Sequence, residues 1–252
     1  MNSGPLEWDA ETYETVSDPQ FEWGMEVLGR LDLNGDEAAV DAGCGTARVT
    51  AELLERLPGG SVIAVDGSAA MIEKARERLG DRASYLVADL AGLELAEPVD
   101  LVFSTATFHW IPDHDRLFAH IRAALRHGGR LIAQCGGAGN VARHTESIAT
   151  VAARSEFAPH FADAEGIWNF AGPEETAERL ERAGFAEVRT WLQPKPVQPA
   201  DPLAFTSTVT LGPLLAQLPE EKRQPFAEAV LEISEQPLVL DYVRLNIEAV
   251  AA

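Results

Sequence analysis

Cysteine is scarce in this chain, with only Cys44 and Cys135. Two thiols can build neither a disulfide framework nor a thiolate metal cluster by themselves, which fits a reducing compartment, and no metal is expected. Basic residues are also few, 20 against 40 acidic ones, so the formal net charge is -20, and no Lys/Arg run interrupts that field. A surface of that sign repels phosphate backbones and anionic lipid surfaces, so neither nucleic acid nor a membrane is expected as a partner. No window approaches the ~18 apolar residues of a membrane helix. The opening "MNSGPLEWDAETYETV" lacks the basic start and apolar stretch of a secretory leader, which points to a cytoplasmic protein.

Against these shortages, 46% of the chain is hydrophobic and 24% charged, with a mean hydropathy of -0.08. That composition supports one large core over 252 residues. From residue 38 short apolar runs alternate with amphipathic helices. "AAVDAG", "SVIAVD", "ASYLVADL", "VDLVFSTA" and "RLIAQCG" read as strands. Between them lie "ARVTAELLERL", "SAAMIEKARERLG" with a Ser68 cap and a Gly80 stop, and "HDRLFAHIRAALRHGG", which the pattern ends at Gly128 and Gly129. "GPEETAERLERAGF" adds a helix that starts at Pro173, ends at Gly184 and leads into "EVRTWLQ".

This alternation predicts an α/β fold, a Rossmann-like doubly wound, mostly parallel sheet of seven strands with helical cap insertions. In "VLDYVRLNIEAVA", Val243, Leu245, Ile247 and Ala249 alternate with Tyr242, Arg244, Asn246 and Glu248, as in an antiparallel or edge strand. A single domain over 1–252 is expected: N-terminal lid helices at 1–33, a core at 34–135, cap insertions at 136–172 and 194–237, and a terminal strand at 238–252.

In such a sheet a ligand sits where the first strand meets its helix, because glycines there let backbone N–H groups approach it. Gly43 and Gly45 suit that turn, and Asp66 follows Gly45 by 21 residues, the spacing of a carboxylate that binds ribose hydroxyls. A dinucleotide fingerprint would need glycine where Arg48 stands, which weakens a nicotinamide reading.

With Asp89 after the third strand, the chain resembles the class I S-adenosylmethionine (SAM) dependent methyltransferases. "VDAGCGTA" looks like their first motif, with Ala47 in place of the third glycine. "IAVDGS" resembles the second motif, "VADL" the third, and "RHGGRL" the turn before the fifth strand. Within that superfamily, "WDAETY", "FHWIPDH" and the late helix with its terminal strand resemble the trans-aconitate and small-molecule carboxyl methyltransferases. The resemblance implies SAM as cofactor. Asp41, Gly43 and Gly45 would hold its methionine part, Asp66 the ribose, and Asp89 with Leu90 the adenine, while Gly67, Met71 and Thr105 complete the contacts and Tyr13 closes over them.

The same resemblance implies a small-molecule acceptor, first a carboxylate, oriented by Trp110 and Gln20 through indole N–H and amide. A carboxylate is already ionised at neutral pH and needs no base. An oxygen, nitrogen or carbon acceptor in a secondary metabolite would need one, and His109, ahead of Asp113 and His114, is the candidate; His114 also reads as the cap of the next helix. A SAM-binding protein without turnover is the other alternative. For an anionic acceptor, Arg143 and His144, with Arg154 and His160, are the expected cationic clamp. Phe157, Phe161, Trp168 and Phe170 suggest an apolar pocket wall.

Overall fold

Seven strands form one sheet in the order β3-β2-β1-β4-β5-β7-β6, in a computed structural model that describes residues 18–161 and 168–252. They are β1 Ala38–Ala42, β2 Ser61–Asp66, β3 Ser84–Val87, β4 Val99–Thr105, β5 Leu125–Gly136, β6 Phe185–Pro194 and β7 Val243–Ala251. The pairs β1–β2, β2–β3, β1–β4 and β4–β5 are parallel, and β7 runs antiparallel between β5 and β6. The first two strand neighbours of β1 thus lie on opposite sides of it, and the crevice opens at that switch point, over the carboxyl ends of β1 and β4.

The helices are α1 Asp18–Leu28, α2 Arg48–Glu55, α3 Ala69–Leu79, α4 His114–Ala124, α5 Ala142–Ala152 and α6 Pro173–Arg182. Two short turns, α7 Pro202–Phe205 and α8 Gly212–Leu215, flank a π-helical turn, and α9 Glu220–Ile233 follows. Alternate residues of one strand serve opposite faces of the sheet. On β4, Leu101 and Phe103 join Val27, Leu28 and Leu53 under α1 and α2, while Val102 joins Leu117, Phe118 and Ile121 of α4. The stretches around α5 and α9 meet in a separate apolar cluster, in which Ile148 and Val151 pack with Phe226 and Val230.

Two local expectations need correction. The helix that should reach Gly128 stops at Ala124, because Leu125 turns extended and buries itself in the core as the first residue of β5. The cap of α4 is Asp113, whose carboxylate accepts from the Arg116 amide. His114 is instead buried, with Nε2 against the Phe108 carbonyl at 2.9 Å. As expected, β7 is antiparallel, and on its polar face Arg244 and Asn246 are buried while Glu248 is partly exposed. Arg30, just past α1, donates to Asn246 Oδ1 at 2.6 Å, and Gln134 Nε2 donates to the same oxygen at 2.8 Å.

The turn after β1 is set by backbone geometry. Gly43 and Cys44 both donate to the Val65 carbonyl, at 2.7 and 3.0 Å. Gly43 has φ +85, and a Cβ placed there would lie 2.1 Å from Thr107 Oγ1. Ala47 takes the left-handed conformation too, with φ 62, and its methyl packs with Ala75 and Leu79, which offsets the strain a glycine would avoid. Gly43→Ala should therefore cost more than about 2 kcal/mol in urea unfolding. Gly128→Ala, at φ +78 with open space around it, should cost only about 1 kcal/mol. Equal costs would show that the contact with Thr107 is not limiting.

Candidate active site

A cavity of about 530 Å³ opens over the carboxyl ends of β1, β2 and β4, a size ordinary for a small-molecule site. Gly43, Gly45, Asp66, Gly67, Met71, Asp89, Leu90 and Thr105 all lie on its wall, so the structure brings these expected cofactor residues together. Asp66 organises the turn from below: Oδ2 accepts from the Gly45 amide and Oδ1 from the Ser68 amide, both at 2.9 Å. A Cβ added at Gly45 would meet no protein atom within 4 Å. Gly45 also lines the cavity, so this cradle fits a ligand that lies against bare backbone. Asp89 Oδ1 accepts from the Ala91 amide at 2.9 Å, which fixes the Leu90 turn against the wall.

Asp41 lies behind that wall. It is 2% exposed and accepts from Thr50 Oγ1 at 2.6 Å. Burial pushes its carboxyl up to about 7, with the nearby Asp66 adding to the rise and the Thr50 hydrogen bond opposing it. Tyr13 falls outside the described residues.

Gln20, His109 and Trp110 line the same cavity. Gln20 Oε1 is buried and accepts no hydrogen bond among the described residues, so a ligand N–H or O–H would satisfy it. His109 Nδ1 accepts from the Gly136 amide at 3.2 Å; that bond assigns its proton to Nε2. Burial first, then the neighbouring Arg244 and His114, hold His109 well below its ordinary pKa, so the ring is neutral. Trp168 and Phe170 are also on the wall, whereas Phe157 and Phe161 pack on Phe226 in the cap cluster.

The expected clamp is elsewhere. Arg143 and His144 border a different hollow of about 310 Å³, and Arg143 pairs with Glu235 and Asp241. Arg154 and His160 do not line the main cavity. The buried cation that does is Arg244, 2% exposed, with its guanidinium 4.7 Å over the Trp23 ring. It was legible only as one arginine in a period-two strand beside Tyr242 and Asn246, with nothing to say which face would be covered.

His144 carries a test of this placement. Its Nε2 lies 2.9 Å from Thr210 Oγ1, and burial lowers its pKa from 6.5 to about 4. The unfolded chain takes up that proton below about 6.5 and the folded chain only below about 4. Stability is unaffected above that range and falls across it. At pH 5 the loss from this residue is on the order of 2 kcal/mol. Urea midpoints at pH 7 and pH 5 should therefore converge more for His144→Gln than for the unaltered chain. Identical slopes would mean that His144 is solvated.

A family profile described as a methyltransferase domain matches residues 39–129. A trans-aconitate 2-methyltransferase from Azoarcus sp. (strain BH72) is 38% identical over 127 residues, 50% of this chain and 50% of that protein. In that match the chain spans about half the length of the curated relative. One of the same name from Methylobacterium radiotolerans is 31% identical over 230 residues, 88% of this chain and 87% of that protein. Among solved structures, a Haemonchus contortus phosphoethanolamine N-methyltransferase 2 with S-adenosyl-L-methionine bound has a TM-score of 0.63 at 19% identity, covering 96% of this chain and 56% of that one. The YcgJ protein of Bacillus subtilis has a TM-score of 0.63 at 13% identity, covering 90% and 97%. These two show the shared fold. With a glycine turn, strand-tip acids and a relative aligned along most of its length, the chain belongs to the class I SAM-dependent methyltransferases, beside the trans-aconitate 2-methyltransferase group.

Proposed function

We propose that this chain transfers the methyl group of SAM to the carboxylate of a small-molecule acceptor, giving a methyl ester. The observation that carries the reading is His109 on the cavity wall, whose Nδ1 is engaged by the Gly136 amide, so this imidazole is not placed to take a proton, and an ionised carboxylate needs none removed. The name of the relatives, trans-aconitate 2-methyltransferase, supports the same acceptor chemistry. SAM supplies a methyl bonded to a sulfonium: a carboxylate oxygen lone pair forms the new C–O bond while the C–S pair stays on sulfur, leaving S-adenosylhomocysteine.

No proton moves in that exchange. His109 accordingly serves as a donor through Nε2–H, because its Nδ1 lone pair is engaged by Gly136 and its charge is suppressed by burial. That state argues against His109 as the base for a neutral acceptor. Gln20 and Trp110 hold the acceptor in line with the methyl, and positioning of this kind can supply much of the acceleration. Gly45, Asp66 and Asp89 hold the cofactor.

Two outcomes follow. In calorimetric titration Asp66→Ala should weaken SAM binding about tenfold or more, since the Gly45 and Ser68 amides lose their acceptor. Unchanged affinity would remove Asp66 from the cofactor site. With labelled SAM and a panel of small carboxylic acids, the label should appear as an alkali-labile methyl ester, at a rate flat between pH ~6 and ~8. Arg244→Gln should lower kcat/KM at least about thirtyfold. Label found only on amines, or on no acceptor, would overturn the reading.

A further inference from the structure

We infer that Asn140 is an acceptor-binding residue, whose side-chain amide donates to the carboxylate oxygen that does not take the methyl group; this rests on the carboxyl-transfer reading above. Asn140 lies in the turn between β5 and α5. It is 4% exposed and sits on the wall of the main cavity. Its backbone N–H donates to the Gly137 carbonyl at 2.9 Å, and the Gly137 N–H donates to the Val243 carbonyl at 3.0 Å. Its side-chain Oδ1 accepts from the Val243 amide at 2.9 Å. The turn is thereby stitched to the first residue of β7.

That bond from Val243 also decides which end of the carboxamide is oxygen, because only oxygen can accept it. The NH2 end is left with two donors. Among the described residues, the Val243 bond is the one hydrogen bond this side chain makes, and a buried amide without an acceptor costs free energy until a partner meets it. A ligand oxygen in the cavity is such a partner.

Gly136 lets the amide stand beside His109. A Cβ on Gly136 would lie 2.9 Å from Asn140 Nδ2 and 2.6 Å from Phe170 Cε1, so bare backbone leaves the room that both side chains occupy. The Gly136 N–H also donates to His109 Nδ1 at 3.2 Å. One glycine thus gathers two neutral donor groups, the Asn140 NH2 and the His109 Nε2–H. Sheet order separates them from the cofactor contacts: Asp66 and Asp89 follow β2 and β3 on one side of β1, whereas β5 and β7 lie beyond β4 on the other. During transfer the spectator oxygen of the acid becomes the ester carbonyl oxygen. It accepts a hydrogen bond in both states, so a neutral donor can hold it throughout while the other oxygen attacks.

Asn140→Asp is the discriminating change, because a carboxylate there can still accept from the Val243 amide but has lost both donors. The unaltered chain, Asn140→Ala and Asn140→Asp are compared at pH ~8 with labelled SAM and three probes, trans-aconitate, trans-cinnamate and hexanoate, and SAM affinity is measured by calorimetry. With the probe turned over fastest, Asn140→Ala should lower kcat/KM about tenfold. Asn140→Asp should lower it about a hundredfold or more, mostly through KM, since it sets an anion against the acceptor's own charge. SAM affinity should stay within about twofold in both. Asn140→Asp no more impaired than Asn140→Ala would show that the side chain serves only Val243 and would overturn the inference. A loss of SAM affinity as large as the loss of turnover would assign the amide to the cofactor, and overturn it equally. No label on any of the three acids, with SAM bound normally, would instead remove the carboxyl-transfer reading and this role with it.

Discussion

A guanidinium held almost out of water at the carboxyl edge of the sheet is the constraint around which this wall of the cavity is arranged. Arg244 reaches that edge because β7 runs against its neighbours. Its register with β5 sets Gly136 opposite Arg244 and Arg130 opposite Val250, so the first residues of β7 lie beside the last residues of the parallel strands. A parallel strand in the same slot would deliver its final residues there instead. Trp23 of α1 lies 4.7 Å from the guanidinium, and an aromatic face attracts a cation most when water is excluded. Burial is the main reason the pKa of His109 is lowered, and the charge of Arg244 adds to it.

The cofactor side depends on a different constraint, close approach of backbone. Gly43 cannot carry a Cβ without displacing Thr107, and Thr107 Oγ1 in turn donates to the Thr105 carbonyl at 2.9 Å. The turn after β1 and the end of β4 are thereby locked to each other across the switch point. Asp66 ties in the tip of β2 through two backbone amides. A field of -20 draws a sulfonium toward the crevice and would repel the carboxylate acceptor proposed above.

Alternation of apolar runs with 3.6-period helices was enough to read the sheet and its connections, because β1, β4 and the second half of β5 are almost wholly buried and read as continuous apolar runs. Ser68 and Gly80 bound α3 as their residue types demand. The reading failed where tertiary burial overrode local signals. Leu125 has no feature that marks it as the end of a helix, yet packing draws it into β5 ahead of Gly128 and Gly129. The clamp failed for a related reason. Charge balance shows that an anionic acceptor needs a cation, but the direction of a side chain on α5 depends on what α9 and the Thr210 turn do, and those contacts turn His144 into a buried neutral group.

The buried ionisable groups oppose one another across acid pH. His109, His114 and His144 all have lowered pKa values, so each withdraws stability as pH falls below about 6.5. Asp41 has the contrary sign. Its unfolded carboxyl ionises near 4 and its folded one only near 7, so it withdraws stability as pH rises across that interval, and the full cost remains above it. Behind the turn that carries Gly43 and Gly45 the chain thus holds an acid whose ionisation burial disfavours. A cationic cofactor in front of that turn would favour the ionised form and relieve the cost. Cofactor binding would then stabilise the fold by more than its direct contacts, through a residue that does not line the cavity.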